Sequence, residues 1–293
     1  FQFGWKGEFM ESIGRWDFIP GFQFQTPRYS KNFYGLGNET SNTESNDFYR
    51  IRHQLLNLQA GFRKRFPSQA AISFVPSFEQ VELEQTDDRI ITSNLVDLRD
   101  GIFENQSYVG AQFKLEHENK NDIGYPSRGM GFSSHLGWKG NLEESDISFV
   151  DVGGHLKLYF PLTRNELMVF ATMVGGNHIF GDFDFYHGHT VGGLNMLRGF
   201  RTERFTGRSS FFHSSDLRLP LFQVRSSALP FALGLTGSFD HGRVWIDEEE
   251  SDQWNATYGA SLWLNFVNAA IIRGGMHFSD DGSRLIIALG YAF

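Results

Sequence analysis

The chain has no cysteine, only 8 prolines, and fewer basic than acidic residues. Without cysteine there is no disulfide framework and no thiolate metal site. That also fits passage through an oxidising compartment. No run of 18 apolar residues occurs, which excludes a helical membrane span. The net charge of −8 argues against nucleic acid as a partner, because phosphate binding needs a basic footprint. Phe1-Gln2-Phe3-Gly4-Trp5 has neither a charged leader segment nor a cleavage site. A secreted protein needs one, so the chain is expected to start at a processed or truncated end. No linker, repeat or charge block marks a second domain, and residues 1–293 are expected to form one.

What is abundant is aromatic residues, 16% of the chain with 31 Phe, and glycine, 32 residues. Apolar residues are dispersed in period two. From Arg284 to Phe293 the odd positions read Leu285, Ile287, Leu289, Tyr291 and Phe293, and the even positions end in Ala288, Gly290 and Ala292. Large apolar residues on one face and small ones on the other describe a strand with lipid outside and a crowded lumen inside. A soluble barrel would hide its large residues within.

Similar segments predict strands at 1–12, 15–28, 48–66, 68–84, 106–119, 127–140, 147–161, 165–180, 208–223, 230–246, 254–266, 268–278 and 284–293. Many reach or exceed the roughly 9–11 residues needed to cross a bilayer. Arg65-Phe66-Pro67-Ser68, Leu162-Thr163-Arg164-Asn165 and Val267-Asn268 read as short periplasmic turns, and 29–47, 85–105 and 181–207 as extracellular loops. The fold class expected is an all-β transmembrane antiparallel barrel. Thirteen strands are read, whereas single-chain bacterial barrels have even numbers.

The longest loop contains Gly192-Gly193-Leu194-Asn195-Met196-Leu197-Arg198-Gly199-Phe200. The next strand reads Asp216-Leu217-Arg218-Leu219-Pro220, and the one after reads Phe239-Asp240-His241-Gly242-Arg243-Val244. Upstream lies Pro126-Ser127-Arg128-Gly129. These stretches resemble, in order, those of the outer-membrane-protein-eighty-five superfamily, whose members include BamA, TamA and the FhaC-type translocators. The resemblance is specific over 120–293 and loose before that. It implies a sixteen-strand barrel in the outer membrane of a Gram-negative bacterium, of which this chain would lack the first three strands and any periplasmic domain. It implies that Tyr291 and Phe293 act as a C-terminal assembly signal.

The resemblance also implies that the loop folds into the lumen and that Arg198 pairs there with acidic residues on the two following strands. Period two gives the facing independently. With Leu217, Leu219 and Leu221 outward, Asp216 and Arg218 point in. With Phe231, Leu233, Leu235 and Phe239 outward, Asp240 and Gly242 point in. A guanidinium binds a carboxylate bidentately. Removing one partner of such a desolvated pair would cost about 3–5 kcal/mol. Gly199 and Gly242 would let the backbones approach. The bland alternative is a solvated loop arginine above a polar lumen; the three ordered stretches favour the lock.

Other groupings are weighed against plainer readings. His178, His187 and His189 surround acidic and aromatic residues and could bind a divalent metal. A polar, aromatic strand end at the membrane rim explains them better. His213 and Ser215 share the outward face with Leu217, an arrangement open to a serine nucleophile with a histidine base. No orienting group is visible in the sequence, and the secretion-barrel pattern already accounts for the stretch. Trp5, Trp16, Trp138, Trp245, Trp254 and Trp263 suit the two aromatic girdles. No row of lumen-facing aromatics is evident.

The function implied by the resemblance is insertion or translocation of a polypeptide client, without chemistry and without a cofactor or metal. The partners implied are an unfolded or secreted polypeptide, outer-membrane lipid with lipopolysaccharide, and accessory lipoproteins. Client-receiving POTRA domains are not visible. Some family members carry a patatin-like lipase or a phosphoesterase instead, and Tyr34-Gly35-Leu36-Gly37-Asn38-Glu39-Thr40 is similar to a loop of the phosphoesterase-fused kind. Two alternatives follow: the membrane anchor of a fused or partnered hydrolase, and a plain diffusion porin.

Overall fold

In the computed structural model, residues 1–224, 230–247, 249–266, 270–291 and 293 are described. The expected turn at Val267-Asn268 and the small residue Ala292 lie outside them. The first strands are β1 (Gln2–Lys6), β2 (Phe9–Ile13), β3 (Trp16–Gln25), β4 (Ser30–Asn32), β5 (Arg50–Arg65) and β6 (Ala70–Leu83). Next come β7 (Gln106–Lys120), β8 (Gly129–Asn141), β9 (Ser148–Pro161) and β10 (Val169–Gly181). A small hairpin, β11 (His189–Val191) with β12 (Phe205–Gly207), interrupts the longest loop. The wall then continues through β13 (Ser209–Val224), β14 (Phe231–Trp245), β15 (Asn255–Phe266), β16 (Ala270–Ser279) and β17 (Gly282–Leu289).

The wall is one antiparallel sheet in the order β1-β3-β5-β6-β7-β8-β9-β10-β13-β14-β15-β16-β17. β1 and β2 both pair with β3, in line, so they form one interrupted stave; β4 likewise pairs with β5 beyond the end of β3. Thirteen staves result among the described residues, as the alternation of the sequence predicts. Among the described residues β1 and β17 are not paired, so the sheet is not closed into a barrel.

Period two sets the two faces. In β17, Leu285, Ile287 and Leu289 are exposed on the outside, while Ile286 between them is buried. In β13, Leu217 and Leu221 are exposed, and Asp216 and Arg218 are fully buried. Large apolar residues outside and polar ones inside is the membrane-barrel pattern.

Two packed clusters occupy part of the inside. At the long-loop end, Phe33, Tyr34, Tyr49, Ile90, Ile102, Phe185 and Tyr186 form a buried cluster built mostly from loop residues. Deeper, Leu197, Phe200 and Phe205 of the longest loop pack with Tyr159, Met173, Phe212 and Val244 of the wall.

The structure corrects the expected facing of the last residues. The run to Leu289 is regular, but Gly290 has φ +76°, a left-handed conformation that glycine adopts without strain. Strand β17 ends there, and Phe293 is buried in the inner cluster rather than facing outward. Tyr291 turns in as well and lies against Trp263 at 6.0 Å. Trp263 is itself only 3% exposed, so it belongs to the inner face and not to a girdle; Trp5, Trp138, Trp245 and Trp254 are exposed. Tyr125, Trp263 and Tyr291 thus make an aromatic group inside the wall, contrary to the expectation of none.

Candidate functional site: an arginine between two wall carboxylates

Strands β13 and β14 are paired with Ser214 opposite Asp240 and Asp216 opposite Ser238. The two carboxylates therefore lie on one diagonal of the inner face, within reach of a single long side chain. The loop turns at Leu197, whose φ is +50°, and closes with the Phe200 N–H donating to the Leu197 carbonyl at 2.9 Å. A non-glycine residue in that conformation is held by its surroundings; Leu197 is completely buried.

The turn delivers Arg198, 1% exposed, between the carboxylates. Its Nη1 donates to Asp216 Oδ1 at 2.7 Å. Its Nη2 donates to Asp240 Oδ1 at 2.5 Å and its Nε to Asp240 Oδ2 at 3.0 Å. The Arg198 main-chain N–H also donates to Asp240 Oδ2, at 2.9 Å. Ser238 donates to Asp216 Oδ1 and Thr257 to Asp240 Oδ2, both at 2.9 Å. Burial alone would favour a neutral guanidine; the carboxylates of Asp216 and Asp240 override it and raise the pKa of Arg198 above its ordinary value.

Two glycines make the approach sterically feasible. A Cβ on Gly242 would sit 2.5 Å from the Phe211 carbonyl oxygen and 2.9 Å from Leu197 Cδ1. A Cβ on Gly199 would sit 2.7 Å from the Phe278 carbonyl oxygen. The chain beyond the arginine is held by the last hairpin: Ser279 Oγ donates to the Gly199 carbonyl at 3.0 Å and Arg284 donates to the Phe200 carbonyl. Phe200 lies edge-on to Phe205, ring centroids 5.1 Å apart.

Sequence reasoning did not single out Ser238, Thr257, Ser279 or Arg284. It also missed Arg204, 4% exposed, which donates to Asp281 Oδ2 at 2.6 Å and to Thr40 Oγ1 and the Thr40 carbonyl at 2.7 Å each. Arg204 lies over the rings of Tyr34 and Phe205. The Tyr34–Thr40 stretch is thereby tied to the longest loop, and Asn38 ties it to β14 and β15 through Val244 and Asn255. Arg218, fully buried, donates to the main-chain oxygens of Pro126 at 3.3 Å and Phe293 at 3.1 Å, with the Tyr291 ring centroid 4.1 Å away.

His178, His187 and His189 do not converge. His187 pairs with Glu79 at 2.7 Å and His189 with Asp151 at 2.9 Å, both on the inner wall, while His178 bonds to Ser209 at 2.6 Å. Among the described residues no group of three or more histidine and acidic side chains could hold a metal ion.

The Omp85 superfamily domain matches residues 11–269. The chain belongs to the Omp85 superfamily. No curated protein matches it in sequence. Among solved structures it is similar to BamA from Haemophilus ducreyi lacking POTRA domains 1–3, with TM-score 0.71 and 12% identity over 99% of this chain and 62% of that one. It is also similar to CdiB from Escherichia coli, with TM-score 0.59 and 13% identity over 94% of this chain and 50% of that one. The chain therefore spans less than two thirds of either neighbour. At these identities the likeness is one of fold, and the wall of this Omp85 chain is of that kind.

Proposed function

We propose that the chain is the outer-membrane barrel of a Gram-negative protein that inserts or translocates polypeptide clients, and that Arg198, Asp216 and Asp240 brace its wall. The observation that carries the reading is the buried arginine itself. A guanidinium removed from water needs full compensation, and here it is met only because the loop folds inward onto β13 and β14. The same turn is bonded to β16 and β17 through Ser279 and Arg284. The loop therefore joins the interior of the wall to its last hairpin.

In this reading the last hairpin borders a weak seam. An unpaired strand edge in lipid has unsatisfied N–H and C=O groups. An incoming client strand satisfies them by adding to the sheet. The brace keeps the edge in register while the client pairs, and no bond-making chemistry is required. Tyr291 and Phe293 turn inward beyond Gly290, where that edge strand ends. Lipopolysaccharide surrounds the barrel, and accessory lipoproteins deliver the client. A plain porin is disfavoured by the two clusters of loop residues packed inside the wall.

The test is reconstitution of the full-length protein into liposomes with an unfolded β-barrel client. Accelerated appearance of folded, heat-modifiable client supports the reading. An unchanged folding rate with a large steady ionic conductance would replace it with the porin.

A further inference from the structure

The outward face of β13 and β14 is apolar over most of its length, but not between Leu217 and Trp254. There four polar side chains from three neighbouring strands meet: Thr172 on β10, His213 and Ser215 on β13, and His241 on β14. Their outward facing follows from the alternation, since Asp216 and Asp240 point in while Leu217 and Phe239 are exposed; Thr172, His213 and His241 are partly buried and Ser215 is 8% exposed. Polar side chains on a lipid-facing surface are costly, and where they persist they mark function.

Their arrangement is specific. Ser215 Oγ lies 2.9 Å from His213 Nε2. Thr172 Oγ1 lies 3.0 Å from the same nitrogen and 2.9 Å from Ser215 Oγ, so the single serine proton has two acceptors in reach, and it is the His213 nitrogen that takes it in the reaction. On the other side of the ring, His213 Nδ1 lies 3.1 Å from His241 Nδ1. With the His213 Nδ1–H donated to His241, the Nε2 lone pair faces the serine hydroxyl. Nucleophile, base and orienting group then stand in sequence. His241 is the orienting group that the sequence alone did not show.

The level in the membrane also fits. Trp245 and Trp254 are exposed on one side of the cluster, and Leu217, Leu221 and Phe222 on the other. Tryptophan marks the interface. The cluster thus lies between interface and hydrocarbon, the level at which ester bonds join acyl chains to lipid headgroups. Gly237, the register partner of Leu217, leaves open space on that face beside Ser215.

We propose that Ser215 and His213 hydrolyse acyl esters of lipids in the surrounding leaflet, with His241 as a positioning residue. Ser215 Oγ attacks the ester carbonyl carbon and His213 Nε2 takes the hydroxyl proton. The C–O bond to the alcohol breaks, and His213 returns that proton to the leaving oxygen. Water from the interface then attacks the acyl-serine, giving its proton to His213; the fatty acid leaves and the serine hydroxyl is restored. This activity is independent of client insertion.

The test uses the full-length protein in phospholipid vesicles, with a fluorophosphonate probe and measurement of released fatty acid. The expected results are a single adduct on Ser215, none in Ser215→Ala, and at least about 100-fold slower release in His213→Gln, the scale of a lost general base. His241→Ala slows release, and His241→Asn restores it by accepting the His213 Nδ1–H, a rescue that a merely structural role would not give. Heat-modifiability shows that each variant is folded. Folded wild-type protein with no adduct on Ser215, or with release unchanged in Ser215→Ala, overturns the proposal.

Discussion

Arg198 reaches Asp240 twice, through its guanidinium and through its own main-chain N–H, so one carboxylate fixes both the side chain and the turn that carries it. Asp216 holds only the far end of the same guanidinium. The two carboxylates are therefore not equivalent. Asp240→Asn should loosen the loop more than Asp216→Asn, and Arg198→Lys should lie between Arg198→Ala and wild type because the bidentate geometry is lost. Urea unfolding in detergent, followed by tryptophan fluorescence, ranks the four variants.

Gly242→Ala should detach the loop without touching any charge. The added methyl would meet the Phe211 carbonyl oxygen at 2.5 Å and Leu197 at 2.9 Å, and the first of these is backbone that cannot turn aside. Overpacking of this kind costs about 1–3 kcal/mol. Proteolysis of the intact barrel should then cut between Gly192 and Glu203, where wild type is protected.

Acid should act on the long-loop end through two carboxyl groups whose pKa values are shifted in opposite directions. Burial pushes the Asp184 carboxyl up, but Arg99, Tyr108 and Tyr186 override it and hold its pKa below the ordinary 3.8. Its contribution is present above 3.8 and is lost only as pH falls through the depressed value. Burial raises Glu203 above 4.5 despite Lys31. Its contribution is complete below 4.5 and is lost as pH rises through the raised value. Amide exchange should therefore show the Asp184 loop protected down to about pH 4 and opening in stronger acid. Glu203→Gln should protect its own turn at neutral pH.

These groups differ in how far the sequence shows them. Alternation gives the thirteen staves, because a lipid-facing wall imposes period two on every strand. It also gives Asp216 and Asp240 a side, by counting from Leu217 and Phe239. The kink at Gly290 is invisible to such counting, since the period runs through it undisturbed. Trp263 misleads because a large apolar ring normally marks the outer face, and here it packs inward on Tyr125 and Tyr291. Ser279, Arg284, Arg204 and Thr40 come together only through the return of the loop. Three-residue strands such as β11 and β12 are too short to carry a period.

The native chain has no cysteine, so an engineered pair reports cleanly. A Cβ at 199 would lie 3.0 Å from Ser279 Cβ but also 2.7 Å from the Phe278 carbonyl oxygen, so reaching the roughly 3.5–4.5 Å of a disulfide requires the β16 backbone to shift, and the reduced double variant is the reference that isolates the effect of the bond itself. In Gly199→Cys with Ser279→Cys, oxidation pins the loop to β16. If the loop is a brace, client folding continues with the disulfide formed. Loss of client folding that reduction restores would show instead that the loop must move.

The most direct measurement of the central claim is Arg198→Ala in the full-length protein, scored for stability, protease protection of residues 192–203 and client folding in the same liposomes. A desolvated arginine removed from Asp216 and Asp240 leaves two buried carboxylates uncompensated, so a loss of about 3–5 kcal/mol is expected. Exposure of the loop and failure of client folding should accompany it. A variant with unchanged stability, a protected loop and normal client folding would contradict the brace.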